Sequence, residues 1–91
     1  MPVRMSGWAR TTDGWAVNLD GTDAARAFSL PRIELHSGAR GWTCVCHFEG
    51  GTSQPLPVRA AASAAEAKRA AAEAARAALG ERYAEALRPL L

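Results

Sequence analysis

The stretch from Ala60 to Ala78, AAASAAEAKRAAAEAARAA, decides the fold of this chain of 91 residues. Thirteen of its residues are alanine, which loses no side-chain entropy in a helix, so the segment is helical by propensity alone. Ser63 and Glu66 have the spacing of a capping box, in which each side chain accepts a hydrogen bond from the other residue's backbone amide. We therefore expect a helix that begins at about Ser63.

The two sides of this helix differ in chemistry. Charged residues recur every three or four positions and predict a solvated stripe, which consists of Glu66, Arg69, Glu73 and Arg76. Alanines occupy the opposite side, and such a surface must lie close against another element. Gly80 either stops the helix or lies within it. The apolar spacing of Leu79, Tyr83 and Leu87 favours one helix over about 63–88, bent at Gly80.

The residues before the helix have the alternation and turn signals of strands. Residues 42–48 are the strongest strand, with β-branched and aromatic residues in clean alternation. Asp13-Gly14 predicts a hairpin between residues 6–10 and 15–19. The other predicted strands are residues 27–30, ended by Pro31, residues 32–36, and the proline-bearing edge-type strand 55–59. The chain is thus expected to be one α+β domain over 1–91, with an antiparallel sheet of three to five strands within 6–60 and one long C-terminal helix on one face.

Charge and hydropathy exclude some classes of partner. The net charge is +2 and is spread evenly, with six arginines against five acids before Ala60 and five basic residues against four acids after it. Binding driven by charge alone, to nucleic acid or to a membrane surface, is therefore not expected. Residues 1–5 lack the apolar region of a signal peptide, and no run of about 18 apolar residues follows. We expect a cytoplasmic protein without a membrane partner.

His36, Cys44 and Cys46 are the most plausible metal ligands in the sequence. If the loop 37–41 closes a hairpin, His36 would share a face with both cysteines, and such ligands suit zinc. The spacing is not that of a zinc finger, His47 points away, and cysteine is an ordinary small core residue. The two cysteines are also too far apart along a strand for a disulfide. We expect buried reduced thiols, no metal and no cofactor.

No motif of an enzyme is present. Ser, His and Asp residues occur, but no Gly-x-Ser-x-Gly nucleophile elbow surrounds any serine. Residues 50–53 follow a strand as Gly-Gly-Thr-Ser, but the lysine of a phosphate-binding loop is missing. The sequence predicts no catalytic residues and a protein that is not an enzyme.

Arginine and tryptophan, the residue types that anchor many protein interfaces, are frequent on the predicted sheet and its loops. Trp15 and Trp42 are expected to contribute to the core, and most of the arginines to be solvated. The residues that we predict to bind a partner are Trp8, Arg10, Arg32 and Arg40. Aromatic and arginine side chains also suit stacking on bases and contact with phosphates.

The layout of the chain resembles that of a group of small bacterial and phage proteins. Residues 41–45, GWTCV, start a strand that leads through a glycine turn to an edge strand, and residues 65–71, AEAKRAA, start the helix. This organisation is similar to small proteins of high-GC bacteria, their phages and mobile elements, in which a small sheet carries one C-terminal helix. Some of these look like phage-encoded inhibitors of host defence, including anti-CRISPR proteins. Double-stranded-RNA-binding and AP2-like modules are similar in layout but have lysine clusters that this helix lacks.

The resemblance and the residues together favour a small non-enzymatic binding protein. The resemblance implies a phage or mobile-element protein that inhibits a host protein or ribonucleoprotein assembly, such as a CRISPR effector, by protein–protein binding. A nucleic-acid-binding module that uses the exposed sheet face is the alternative, although the balanced charge of the chain argues against nucleic acid as a partner. A structural homodimer built through the helix or an edge strand is a third possibility.

Overall fold

A computed structural model describes residues 7–58 and 60–91, and five strands in this part form one antiparallel sheet. The strands are β1 (Ala9–Arg10), β2 (Gly14–Asn18), β3 (Arg32–Gly38), β4 (Gly41–His47) and β5 (Ser53–Leu56). Their order in space is their order in the chain, so each strand pairs with its sequence neighbour. With the C-terminal helical segment, this confirms the predicted α+β fold. Ser6 and Arg59, the predicted outer ends of the first and last strands, lie outside the described residues.

The helical segment has one long helix followed by shorter turns. Helix α1 (Ala64–Leu79) is followed by a 3-10 turn (Gly80–Tyr83), the single-turn helix α2 (Ala84–Leu87) and a second 3-10 turn (Arg88–Leu90). Gly80 has φ +73°, which interrupts the α-helical backbone where the sequence allowed a bend. The chain beyond it turns back so that Leu87 is fully buried in the core. Within the described ranges, no helix combines the length and the hydropathy needed to cross a membrane.

The N-terminus of α1 is capped nearly as predicted. The Ser63 hydroxyl accepts a hydrogen bond from the Glu66 amide at 3.2 Å. The Glu66 carboxylate reaches back to the Ala62 amide at 3.0 Å instead of to the amide of Ser63. The cap therefore satisfies two amides, one of them a residue earlier than in a standard capping box.

Residues 27–30 do not form the short strand that the sequence predicted. The segment Leu19–Leu30 is a loop, and β3 begins only at Arg32, after a cis peptide bond between Leu30 and Pro31. The carbonyl of Ala27 accepts hydrogen bonds from the side-chain amide of Asn18 (Nδ2) at 2.8 Å and from the Arg32 guanidinium at 3.3 Å. Side chains therefore satisfy the backbone group that a strand would pair with another strand.

The hydrophobic core lies between one face of the sheet and helix α1. The sheet contributes Val17, Ile33, Leu35, Cys44, Cys46 and Leu56. Ala67, Ala71 and Ala75 of α1 pack against them and are fully buried. The short alanine side chains let the helix backbone lie close to the sheet, as the sequence predicted, and leave little room for a larger side chain.

We expect Ala71→Leu to destabilise the protein by about 1–3 kcal/mol, because the added isopropyl group would overpack the contact between α1 and the sheet. Ala77→Leu is the matched control, since Ala77 is exposed on the same helix. Chemical denaturation of both variants measures the difference. Equal midpoints for the two variants would contradict the packing of α1 on the sheet.

Candidate functional site

A cleft of about 350 Å³ opens at the end of the sheet where the β1–β2 turn, the β3–β4 hairpin and the start of α1 meet. Its wall includes Arg10, Asp13, Gly14, Trp15, Ser37, Trp42 and Ala64. We call it the Trp15 cleft. The antiparallel order of the strands brings both turns to this end, and the Ser37 amide donates to the Asp13 carbonyl at 2.8 Å.

Two cations lie against the indole ring of Trp15. The Lys68 ammonium is 3.4 Å from the ring centroid, and the guanidinium carbon of Arg10 is 5.2 Å from it. Such cation–π contacts contribute from about 0.5 to 2 kcal/mol each, depending on how far the cation is desolvated. Lys68 belongs to α1 and Trp15 to β2, so the contact also attaches the helix to the sheet.

Neither cation has a carboxylate partner in the part of the chain that the structure describes. The ion pairs found there involve other residues. Partial burial, together with the positive charge of Arg10, lowers the pKa of Lys68 from its ordinary value. Arg10, on the wall of the Trp15 cleft, and Lys68, beside the cleft over the Trp15 ring, are therefore neighbouring cations that form no ion pair with a carboxylate of the described residues.

The predicted partner-binding residues are divided between different places. Arg10 lies on the Trp15 cleft, and Arg40 is exposed in the two-residue turn between β3 and β4, at the same end of the sheet. Trp8 is half-buried and packs against the core. Arg32 lies on the opposite face of the sheet and is only 7% exposed, because its guanidinium bonds to internal acceptors. We therefore do not retain Arg32 among the partner-binding residues.

The sequence did not reveal Lys68 as a member of this cluster. Judged from the helix sequence alone, Lys68 is one of several basic residues whose charge nearby glutamates offset. Its position above Trp15 depends on how α1 packs across the sheet. Trp15 and Trp42, which we expected to contribute to the core, pack against it and also line the cleft.

The face of the sheet opposite α1 has a chain of hydrogen-bonded polar side chains, which we call the polar array. His36 Nδ1 lies 3.0 Å from an Asp13 carboxylate oxygen, and its Nε2 lies 3.5 Å from Glu34 Oε1. His47 Nε2 lies 3.1 Å from the same Glu34 oxygen, and its Nδ1 lies 2.8 Å from Ser53 Oγ. Alternation along β3 and β4 brings these side chains to one face.

Arg32 connects the polar array to the loop Leu19–Leu30. Its Nε donates to Glu34 Oε2 at 2.9 Å, and its Nη1 donates to Asn18 Oδ1 at 2.9 Å and to two loop carbonyls at 3.3 Å. The ring of Phe28 lies 4.9 Å from the guanidinium carbon and 5.4 Å from the His47 ring. These contacts hold the loop against the sheet.

Charges within the polar array shift the protonation of its members. Although partial burial opposes ionisation of Glu34, its hydrogen bonds with Arg32 and His47 outweigh that effect and hold its pKa below the ordinary value. The hydrogen bond to Asp13 raises the pKa of His36, despite partial burial. Glu34 is therefore a carboxylate at neutral pH and accepts hydrogen bonds from its neighbours.

The metal ligands considered in the sequence do not come together. Ser37, and not His36, pairs with Trp42, so His36 lies on the face opposite Cys44 and Cys46. Both cysteines are free thiols buried in the core, where burial raises the pKa of Cys44 to about 12 and that of Cys46 to about 11. Among residues 7–58 and 60–91, no group of three or more His, Cys, Asp or Glu residues is placed to hold a metal ion.

No protein-family model, curated protein or solved structure matches this chain. Within the described residues, the Trp15 cleft and the polar array, on opposite faces of the sheet, are the two places where side chains offer specific chemistry.

Proposed function

We propose that this protein is a small binding protein that takes an acidic segment of a protein partner into the Trp15 cleft. The observation that supports this is the pair of cations, Arg10 and Lys68, held over one indole ring beside an open cleft and without a carboxylate partner in the described residues. Carboxylates of a partner would supply the counter-ions.

The surroundings of the two cations favour such a partner. An arginine fork can bind a carboxylate in a bidentate way, and Trp15 and Trp42 offer flat apolar surface beside it. Ala64, the first residue of α1, also lines the cleft, so the positive end of the helix dipole adds to the local potential. Arg40 extends the positive charge along the same end of the sheet.

The resemblance to phage-encoded inhibitors suggests what kind of protein the partner is. We propose that it belongs to a larger host assembly, such as a CRISPR effector, whose site this chain occupies. This part of the proposal depends on the resemblance, whereas the acidic character of the partner depends on the geometry of the Trp15 cleft.

A nucleic-acid-binding role through the other sheet face is supported less well. That face has the carboxylate of Glu34, and the loop residue Phe28 covers part of it. Affinity for phosphates requires several neighbouring cations, since each neutralised phosphate contributes separately. On that face, the guanidinium of Arg32 is already bonded to Glu34 and Asn18.

The test compares two double variants that change the net charge equally. Arg10→Glu with Lys68→Glu reverses the cations of the Trp15 cleft, whereas Arg69→Glu with Arg76→Glu reverses two exposed charges elsewhere on α1. Each tagged protein is used to capture partners from a bacterial lysate, with a nuclease-treated duplicate. We expect an acidic protein partner to remain after nuclease treatment, to bind the control variant normally, and to bind the cleft variant at least tenfold more weakly.

Two results would contradict this proposal. Equal capture by both double variants would mean that the cleft is not the binding site. Loss of every partner after nuclease, together with tight, salt-sensitive binding of DNA or RNA in a gel-shift series, would favour the nucleic-acid module. Circular dichroism of both variants checks that they are folded.

A further inference from the structure

We propose that Ser53 is a nucleophilic serine that accepts an acyl group from small activated esters, with His47 as its general base. Ser53 Oγ lies 2.8 Å from His47 Nδ1, and His47 Nε2 lies 3.1 Å from Glu34 Oε1. A nucleophile, a base and an orienting carboxylate in hydrogen-bonded sequence are the parts of a hydrolytic triad. The site belongs to the polar array and does not depend on the Trp15 cleft.

The register of the sheet explains why these three side chains meet. His47 on β4 and Ser53 on β5 are direct cross-strand partners. The next pair along is joined by a hydrogen bond from the Phe48 amide to the Thr52 carbonyl, at 2.8 Å. Backbone bonding alternates along antiparallel strands, so His47 and Ser53 form a non-hydrogen-bonded pair, in which side chains lie closest. Glu34 on β3 is the diagonal neighbour of His47.

Glu34 determines which nitrogen of His47 acts as the base. An ionised carboxylate can only accept hydrogen bonds, so the neutral ring keeps its proton on Nε2 and donates it to Glu34. The lone pair is then on Nδ1, which faces the Ser53 hydroxyl. Arg32 bonds the other oxygen of Glu34 at 2.9 Å and holds the carboxylate in place. Relative to the familiar triad, the two ring nitrogens exchange their roles.

Acylation requires no reactant other than Ser53, His47 and the ester. Ser53 Oγ forms a bond to the carbonyl carbon of the ester while its proton moves to His47 Nδ1. The bond from that carbon to the leaving oxygen then breaks, and the leaving oxygen takes the proton from Nδ1. The products are acyl-Ser53 and the free hydroxyl compound, which is a phenol when the substrate is an aryl ester, and His47 is neutral again.

The surroundings of Ser53 limit the substrate class. Ser53 is exposed, so a bound ester would not be enclosed, and only an ester with a good leaving group is expected to react. Phe28 is 61% exposed, and its ring packs against the His47 imidazole in a T-shaped arrangement, with centroids 5.4 Å apart and an interplanar angle of 64°. Its apolar surface beside the base suits an aromatic leaving group, which points to aryl esters.

The experiment treats the folded protein with p-nitrophenyl acetate and locates acetyl groups by peptide mass spectrometry. Ser37, an exposed serine on β3, is the internal control in the same molecule. We expect Ser53 to be acetylated at least tenfold faster than Ser37, and the two serines to react equally in denaturant. His47→Gln, if folded, should reduce acetylation of Ser53 to the rate at Ser37.

Equal acetylation of Ser53 and Ser37 in the folded wild-type protein would overturn the proposal, whatever the variants do. An unchanged rate at Ser53 in a folded His47→Gln variant would also overturn it. Capture of a protein partner at the Trp15 cleft does not affect either result, so this inference and the proposed function are tested separately.

Discussion

Replacing Arg32 with methionine is expected to lower the free energy of unfolding by about 3–5 kcal/mol, the range for removal of one partner of a buried ion pair. Arg32 is only 7% exposed, and its guanidinium bonds to the Glu34 carboxylate, the Asn18 side chain and two loop carbonyls. Methionine fills much of the same volume but removes one donor from each of these acceptors, which leaves Glu34 Oε2 and Asn18 Oδ1 without the hydrogen bond from Arg32. Since the Glu34 side chain is 24% exposed, water can solvate it in part, so the lower end of the range is expected.

Denaturation of two further variants separates the buried network from the general effect of losing an arginine. Arg26→Met removes a side chain that is 87% exposed and pairs with the exposed Asp23, and a change below about 0.5 kcal/mol is expected. Arg32→Lys keeps the charge but cannot reach Glu34 and Asn18 at once, so its loss should be intermediate. If Arg32→Met were as stable as Arg26→Met, the loop Leu19–Leu30 would not be held as described.

The sequence predicted the elements that depend on local signals. The helix cap at Ser63, the hairpin at Asp13-Gly14 and the strand from Trp42 are set by residues close together in the chain, and the structure confirms them. Residues 27–30 looked like a strand, but the Ala27 carbonyl accepts hydrogen bonds from the Asn18 and Arg32 side chains instead. Propensity cannot anticipate such side-chain partners, because they come from other elements.

The polar array could not be predicted because it depends on strand register. A shift of one residue moves every side chain of a strand to the other face. The sequence allowed His36 to lie beside Cys44, but strands β3 and β4 extend to Gly38 and Gly41 and leave a turn of two residues. This register brings His36 and His47 to Glu34 and sends both cysteines into the core.

Arg32 and Lys68 show a second limit of sequence reasoning. Charged side chains are almost never fully buried unless they are paired, so an arginine in a strand is by default assigned to the surface. The partners that bury Arg32 come from β2, β3 and the loop Leu19–Leu30. The partner of Lys68 is Trp15 on a different element, and no spacing within α1 identifies it.

Gly14→Ala is expected to destabilise the protein by about 3 kcal/mol, at the upper end of the range for overpacking. A Cβ built on Gly14 would lie 1.8 Å from the Leu35 carbonyl oxygen and 3.1 Å from His36 Cα. These are backbone atoms of β3, so they cannot move aside as the end of a flexible side chain can. The pairing of Gly14 with His36 must therefore open.

Gly38→Ala is the matched control, because Gly38 is also a strand residue without a positive φ. Among the described residues, a Cβ there would meet only the Gly41 carbonyl oxygen, at an ordinary 3.7 Å. Denaturation midpoints of the two variants give the difference. Opening the Gly14–His36 pair would also separate Asp13 from His36 and distort the Trp15 cleft, which both Asp13 and Gly14 line. Gly14→Ala should therefore also weaken partner capture, whereas Gly38→Ala should not. Equal stability of the two variants would contradict the close contact of β2 and β3 at this position.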